Sequence, residues 1–282
     1  MKRPFITGEE WIYYKIYCGN RTSDVLLTEI IKPLTESLIE KEIIDKWFFI
    51  RYADPENHIR VRFHCSDVSR LGEVIQVFKE NVRFYIESNL VWKIQTDTYH
   101  REFERYGINN IINSEELFFY DSASCVRALI LIDDDEVLFF YVIRNIDSLF
   151  SLFQVSIEEK IIISKKNRDR FKKEFNADKN LSKQLNKKYQ GLRMKFEQFM
   201  LPNLNSVYKP LVDILNFKER KMKPTVKRIM NKENVDDKLL SSYIHMMVNR
   251  FFRDKQRLHE LVCYDFLYRY YNSVNAKKNE TF

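Results

Sequence analysis

In His58-Ile59-Arg60-Val61-Arg62-Phe63-His64, basic side chains alternate with apolar ones without a break. A β-strand points successive side chains to opposite faces, so this period of two puts His58, Arg60, Arg62 and His64 on one side and Ile59, Val61 and Phe63 on the other. Two guanidiniums held that close on a rigid strand repel each other, and the arrangement is costly unless an anion or carboxylate regularly sits there. The strand therefore reads as the floor of an anion-handling site, the alternatives being a solvated edge face or a pair of ordinary surface ion pairs. A second cluster lies in Tyr99-His100-Arg101-Glu102-Phe103-Glu104-Arg105-Tyr106-Gly107. There Glu102 and Arg105 are three apart and would share a side of one helical turn, to pair or to converge on a ligand.

The third candidate is His245, histidine being the residue type best suited to proton transfer near neutral pH. It stands among Leu239, Leu240, Tyr243, Ile244, Met247 and Val248, so a satisfied core histidine is the competing reading. His58 and His64 would sit about 20 Å apart along a strand, too far to share one ion, and no metal is expected.

The elements that must position these groups follow from local signals. Trp11 to Tyr17 is aromatic and β-branched and reads as a first strand, after a lead-in, Met1 to Glu10, broken by Pro4 and Gly8. Asp24 is placed to cap a helix carrying Leu26, Leu27, Ile30, Ile31, Leu34 and Leu38, with Pro33 awkward inside it. Trp47–Tyr52 and His58–His64 form a hairpin around turn formers, Ser69–Asn89 a second helix and Val91–Tyr99 a fourth strand. Strand, helix, strand, strand, helix, strand is the order of a ferredoxin-like split βαβ unit, with both helices on one face. In such a sheet the fourth strand lies at an edge, from which the following segment can reach the arginine face.

Beyond Ile111 the periodicity is helical: Ser114–Ile132, Asp134–Leu149, Ile157–Asn176, Leu181–Met200, Val207–Asn216, Asp236–Arg253 and Lys255–Asn272. Asp133-Asp134-Asp135, Asn176-Ala177-Asp178 and Pro202-Asn203 supply the breaks. The basic stretch Lys160–Lys195 interleaves Ile161, Ile162, Phe171, Phe175, Leu192 and Phe196, which favours amphipathic helices with solvated faces over a polyanion surface. A disordered tail is expected over Ala276–Phe282. The expected fold is α+β, one domain over 1–282, with a ferredoxin-like mixed half (1–110) packed against a mostly helical half (111–282).

Composition narrows the function. At 282 residues, 45% hydrophobic and 31% charged, the chain can bury a sizeable core, and its net charge of +7 is moderate. Cys18, Cys65, Cys125 and Cys263 are far apart, with no C-x-x-C pair, which suggests neither a disulfide framework nor a zinc ribbon; a reducing cytoplasm is expected. The apolar runs are short of the roughly 20 residues a membrane span needs, so any membrane attachment would be peripheral. The five glycines are isolated, and no phosphate-cradling loop, G-x-S-x-G elbow or H-E-x-x-H helix occurs. No cofactor is expected.

Taken in order, Trp11–Tyr17, Phe48–Pro55 running into His58–Phe63, Arg101–Gly107, Phe118-Phe119-Tyr120-Asp121-Ser122 and His245–Arg250 resemble the thiopeptide-type bacteriocin biosynthesis family. That family includes the C-terminal glutamate-elimination domain of lantibiotic dehydratases and its stand-alone versions. The resemblance implies a carbon–oxygen lyase that expels glutamate from glutamylated Ser or Thr of a precursor peptide, leaving dehydroalanine or dehydrobutyrine. The functional positions it implies are Arg60 and Arg62 of H-x-R-x-R-F, Glu102 and Arg105 of R-E-x-x-R-Y-G, and His245. A glutamylation domain or subunit that uses glutamyl-tRNA is the implied partner, other modification enzymes at the membrane are further candidates, and no direct nucleic-acid contact is expected. Family members often have a second glycine where this chain has Ile108, which puts the local turn geometry in question.

Elimination builds negative charge both on an enolate-like centre and on a departing carboxylate. Losing one fixed donor that faces such charge typically costs on the order of 3 to 4 kcal/mol of barrier. Arg60, Arg62 and Arg105 would share that work, His245 would serve as acid or base, and Glu102 would orient Arg105. Two other readings stand beside this one: the pyridine-forming cycloaddition of some relatives, and a non-catalytic module that binds peptide or partner at a sheet edge.

Overall fold

A computed structural model of the protein describes residues 1–201, 206–232 and 235–279. Its strands are β1 (Pro4–Phe5), β2 (Trp11–Cys18), β3 (Lys46–Ala53), β4 (Asn57–His64), β5 (Val91–Thr96) and β6 (Tyr99–His100). The main sheet is antiparallel in the order β3-β4-β2-β5, the ferredoxin-like arrangement expected from the sequence. Hairpin and flanking strand are in a register that sets Phe48 and Tyr13 on either side of Arg62, and Tyr52 and Tyr17 on either side of His58. Period-two alternation then assigns the faces: Ile59, Val61 and Phe63, all fully buried, point away from Arg62.

That apolar face packs on α1 (Asn20–Val25), α2 (Lys32–Glu40) and α3 (Leu71–Glu87). Tyr14 stacks on Phe78 of α3 at 4.1 Å between centroids. The first helix begins earlier than expected, at Asn20 with Gly19 in the N-cap position, and Asp24 does not cap it but pairs with Arg51 and Arg253. A π-turn at Leu26–Ile31 separates α1 from α2 and leaves Pro33 in the first turn of α2, where its missing N–H costs little. The lead-in is also more ordered than expected. Pro4–Phe5 pairs with Tyr99–His100 as a small second sheet, so the fourth strand stops at Thr96 and Tyr99 belongs elsewhere.

The helical half comprises α4 (Phe103–Tyr106), α5 (Ile111–Leu131), α6 (Asp135–Leu152), α7 (Ile157–Glu174), α8 (Lys179–Phe199), α9 (Lys209–Lys232), α10 (Asp237–Phe251) and α11 (Gln256–Asn279). The fold is α+β. Asp134, Ser156, Asp178 and Asp236 cap α6, α7, α8 and α10 with side-chain oxygens. Two expectations are corrected. The helix expected to end at Asn216 continues through Pro224 to Lys232, because its buried Leu215, Met222, Val226 and Ile229 pack inward and tertiary burial outweighs the lost hydrogen bond. The tail expected to be disordered from Ala276 stays helical to Asn279, and 280–282 lie outside the described residues, as do Pro202-Asn203.

The halves meet across β3, where Phe48 packs on Phe118 of α5 at 5.4 Å. Asn249 of α10 holds the outer edge of β3: its Oδ1 accepts from Arg51 N–H at 2.8 Å and its Nδ2 donates to Arg51 C=O at 2.9 Å. Beneath lies a buried polar network. Arg250 donates to Asp121 (2.8 Å), Ser122 (2.9 Å) and the Phe49 carbonyl (2.9 Å), while Lys218 donates to Asp121 (3.0 Å) and Asn145 (2.7 Å). Buried charge is tolerated there because both cations share the Asp121 carboxylate and take further hydrogen-bond acceptors.

Candidate functional site

Register alone builds the first wall of the site. Because Tyr13 and Phe48 oppose Arg62 across β2 and β4 and across β3 and β4, their rings close on its guanidinium, at 4.2 and 5.1 Å, with Tyr99 at 5.0 Å. Aromatic faces attract a cation but do not neutralise it. Arg62 is 7% exposed, Nε has no hydrogen-bond partner, and it makes no ion pair among the described residues. Burial pushes its pKa below the usual guanidinium range, the expected sign for a desolvated cation with no counter-charge in contact. At Arg62 the face is thus neither a solvated edge nor a surface ion pair, whereas His64 at its end pairs with the exposed Asp45.

Two residues along β4, Arg60 is held by its neighbours. Its guanidinium lies 3.5 Å over the Tyr52 ring, and its Nε donates to His58 Nε2 at 3.0 Å. His58 Nδ1 lies 2.7 Å from the Glu56 carbonyl, so the network assigns the proton to Nδ1 and leaves Nε2 as acceptor. Burial drives the His58 pKa down, and the nearby Arg60 charge pushes the same way against the Glu56 carbonyl. A neutral His58 therefore orients Arg60 and frees its terminal nitrogens.

The segment after β6 supplies the rim. Arg101 and Glu115 form a buried bidentate pair at 2.7 Å in both contacts, and Tyr99 Oη donates to the same carboxylate at 2.9 Å. Burial and that carboxylate raise the Tyr99 pKa well above the ordinary phenol value, so it stays a donor and its ring stays over Arg62. With Arg101 anchored inward, Glu102 and Arg105 face out and pair at 3.2 Å. Gly107, at φ 76°, ends the turn in the left-handed region; Ile108 is not among the positive-φ residues, so the turn needs no second glycine.

His245, on α10, completes the ring. Its side chain is 30% exposed, and Nδ1 lies 2.9 Å from Oε2 of Glu260, a fully buried carboxylate on α11. Arg60, Arg62, Glu102, Arg105 and His245 all line one cavity of about 240 Å³, together with Phe48, Tyr52, Tyr99, His100 and Asn249. His245 is therefore not sealed in hydrocarbon, although its helix is apolar around it. Of the other histidines, His64 pairs with Asp45 and His259 stacks on Phe252 at 3.9 Å, both outside this cavity. Among the described residues no cluster of three or more His, Cys, Asp or Glu is arranged to hold a metal.

Sequence reasoning missed the aromatic cage and Glu260. The cage was open to inference, since pairing Tyr13 and Phe48 with Arg62 follows once the strand register is drawn. Glu260 left one cue, a lone carboxylate before the apolar run Leu261-Val262-Cys263-Tyr264.

Residues 11–271 match the family model described as the lantibiotic biosynthesis dehydratase C-terminal region. The nisin biosynthesis protein NisB of Lactococcus lactis subsp. lactis is 34% identical over 136 residues, which is 47% of this chain and 13% of that protein. The subtilin biosynthesis protein SpaB of Bacillus subtilis is 24% identical over 189 residues, 64% of this chain and 18% of that one. The chain thus spans less than a fifth of the curated relatives it matches. In fold it overlays on the tRNA-dependent lantibiotic dehydratase MibB from Microbispora sp. 107891 with a TM-score of 0.73 at 18% identity, covering 99% of this chain and 29% of MibB. It also overlays on the pyridine synthase TbtD from thiomuracin biosynthesis, at 0.66 and 11% identity, covering 94% of this chain and 99% of TbtD.

Proposed function

The chain belongs to the lantibiotic biosynthesis dehydratase C-terminal family, and from that premise we propose that it eliminates glutamate from glutamylated Ser or Thr side chains of a precursor peptide. The observation that carries the reading is Arg62: a buried guanidinium at the floor of a cavity, ringed by π faces and lacking a carboxylate. Such a group is expensive until an anion arrives, and a glutamyl ester that becomes a free glutamate carboxylate delivers one during the reaction.

The remaining residues fall into roles around that floor. Arg60, fixed by His58 and Tyr52, and Arg105, paired with Glu102, offer further donors to the carboxylates of the glutamyl group and to the enolate-like oxygen. His245 exchanges the α-proton. Charge develops in a pocket walled by Phe48, Tyr52 and Tyr99, where a fixed donor acts more strongly than in water.

The test supplies a preformed glutamylated peptide and follows dehydroalanine and free glutamate by mass spectrometry. Arg60→Ala, Arg105→Ala and His245→Ala are expected to leave glutamyl-peptide unreacted, and undiminished elimination by all three variants overturns the reading. A second reading is pyridine formation, the activity in the name of TbtD, whose chain shares this fold over nearly its whole length. A dehydroalanine-rich peptide, offered in parallel, separates the two. In either case the peptide reaches this chain after chemistry performed elsewhere, which makes a glutamylating domain or subunit the expected partner. Among the described residues no helix is long and apolar enough to cross a membrane.

A further inference from the structure

We propose that Glu260 is a positioning residue for His245, fixing the imidazole as the base that removes the α-proton. The inference rests on the elimination reading above. Glu260 is completely buried on α11, next to Leu261, Cys263 and Tyr264, which are equally buried. A carboxylate in such a setting needs strong partners. Among the described residues its one hydrogen-bond contact is from Oε2 to His245 Nδ1 at 2.9 Å, and Oε1 has no hydrogen-bond partner. Glu174 of α7, a second carboxylate within electrostatic reach of His245, is engaged by Arg257, whose charge also reaches Glu260, and Glu102 on the cavity rim is paired with Arg105.

Three consequences follow from that geometry. A carboxylate accepts a proton-bearing nitrogen, so Nδ1 carries the hydrogen and Nε2 is the bare nitrogen left for the cavity that His245 lines. The contact also holds the ring at one angle, since α10 and α11 are packed elements rather than loops. Finally, the Glu260 carboxylate stays against Nδ1, so an imidazolium formed at Nε2 keeps a hydrogen-bond acceptor at its other nitrogen. The step balances as a simple elimination: the α-proton passes to Nε2, its electron pair forms the new Cα–Cβ double bond, and the Cβ–O pair departs with glutamate as a carboxylate. The imidazolium left behind sits between that carboxylate product and Glu260.

The test uses the full chain with the isosteric Glu260→Gln, whose amide keeps the size but not the charge. Turnover of glutamylated peptide is expected to fall roughly 10- to 100-fold, with KM within about twofold, since proton transfer rather than binding is affected. In a His245→Ala background the same change is expected to do nothing more, because the two residues act as one unit. Nitrogen NMR of the histidine-labelled protein at pH 8, with His245 assigned by comparison with His245→Ala, is expected to show its proton on Nδ1. A proton on Nε2, an unchanged kcat, a loss confined to KM, or a loss that persists without His245 each overturns the proposal; the last marks Glu260 as purely structural. A wild type that leaves the glutamyl peptide intact removes the elimination reading instead, and the NMR result then decides the Glu260 contact alone.

Discussion

Arg250 and Arg62 are both buried, at 1% and 7% exposure, and both lie where the sheet meets the helical half. Arg250 donates to Asp121, Ser122 and the Phe49 carbonyl, and Asp121 is shared with Lys218. Arg62 has only the rings of Tyr13, Phe48 and Tyr99. The first cation is spent on architecture, tying β3 to α5 and α10. The second is left without a carboxylate in contact, an arrangement that costs folding free energy. A paired and an unpaired guanidinium within one fold thus separate a cation that holds the molecule together from the one proposed above to receive an anion.

The contrast can be broken most forcefully at Asp121. Asp121→Ala leaves Arg250 and Lys218 buried without their carboxylate and is expected to lower stability by about 3–5 kcal/mol in urea unfolding. An unshifted midpoint would mean that the network is not structural. At Arg62 the expectation reverses: Arg62→Met should cost elimination about 3–4 kcal/mol of barrier, a 100- to 1000-fold loss, while Tm holds or rises because an uncompensated buried charge is gone. A Tm falling in step with activity would erase the distinction between the two arginines.

Asn249→Ala tests the join itself. Two backbone groups of Arg51 lose their partner, so a loss of about 1–3 kcal/mol is expected, and hydrogen exchange should quicken at the Arg51 amide before the strand centre. The smallest effect is on pH. The folded His58 pKa lies below the unfolded one, so the unfolded chain binds more protons as the pH falls. Its stabilising contribution is therefore complete above about pH 6.5, the unfolded value, and is lost as the pH falls through the folded pKa. His58→Phe keeps a ring between Tyr17 and Tyr52 and should flatten that part of the stability profile; parallel profiles for the two proteins would assign the slope to other groups.

Much of the site was legible because it depends on strand periodicity and short spacings. The alternation from His58 to His64 fixed which face carries Arg60 and Arg62, and the Glu102–Arg105 interval gave the pair observed at 3.2 Å. The element order gave the sheet. The depth of Arg62 was not legible, since it depends on Tyr99 and on helices that pack from beyond residue 110. Nor was Glu260, because no spacing rule links residues on separate helices whose packing is set by the rest of the core. The extension of α9 past Asn216 was not legible for a similar reason: local propensity at Pro224 argues for a break, and inward-facing Met222, Val226 and Ile229 override it. The π-turn before Pro33 shows the reverse, a local conflict absorbed within the helix rather than by ending it.

The ring that surrounds the cavity is assembled from β4, from the turn after β6 and from α10, with its last support on α11. A ribosome therefore releases every arginine of the site long before the histidine and glutamate that would set them to work. A chain ending short of residue 245 would lack not only the imidazole but also Asn249 and Arg250, which fasten β3 to α10 and α5. The last part of the site to be synthesised is thus also the last part of the clamp, so the cavity and the join between the halves are completed together.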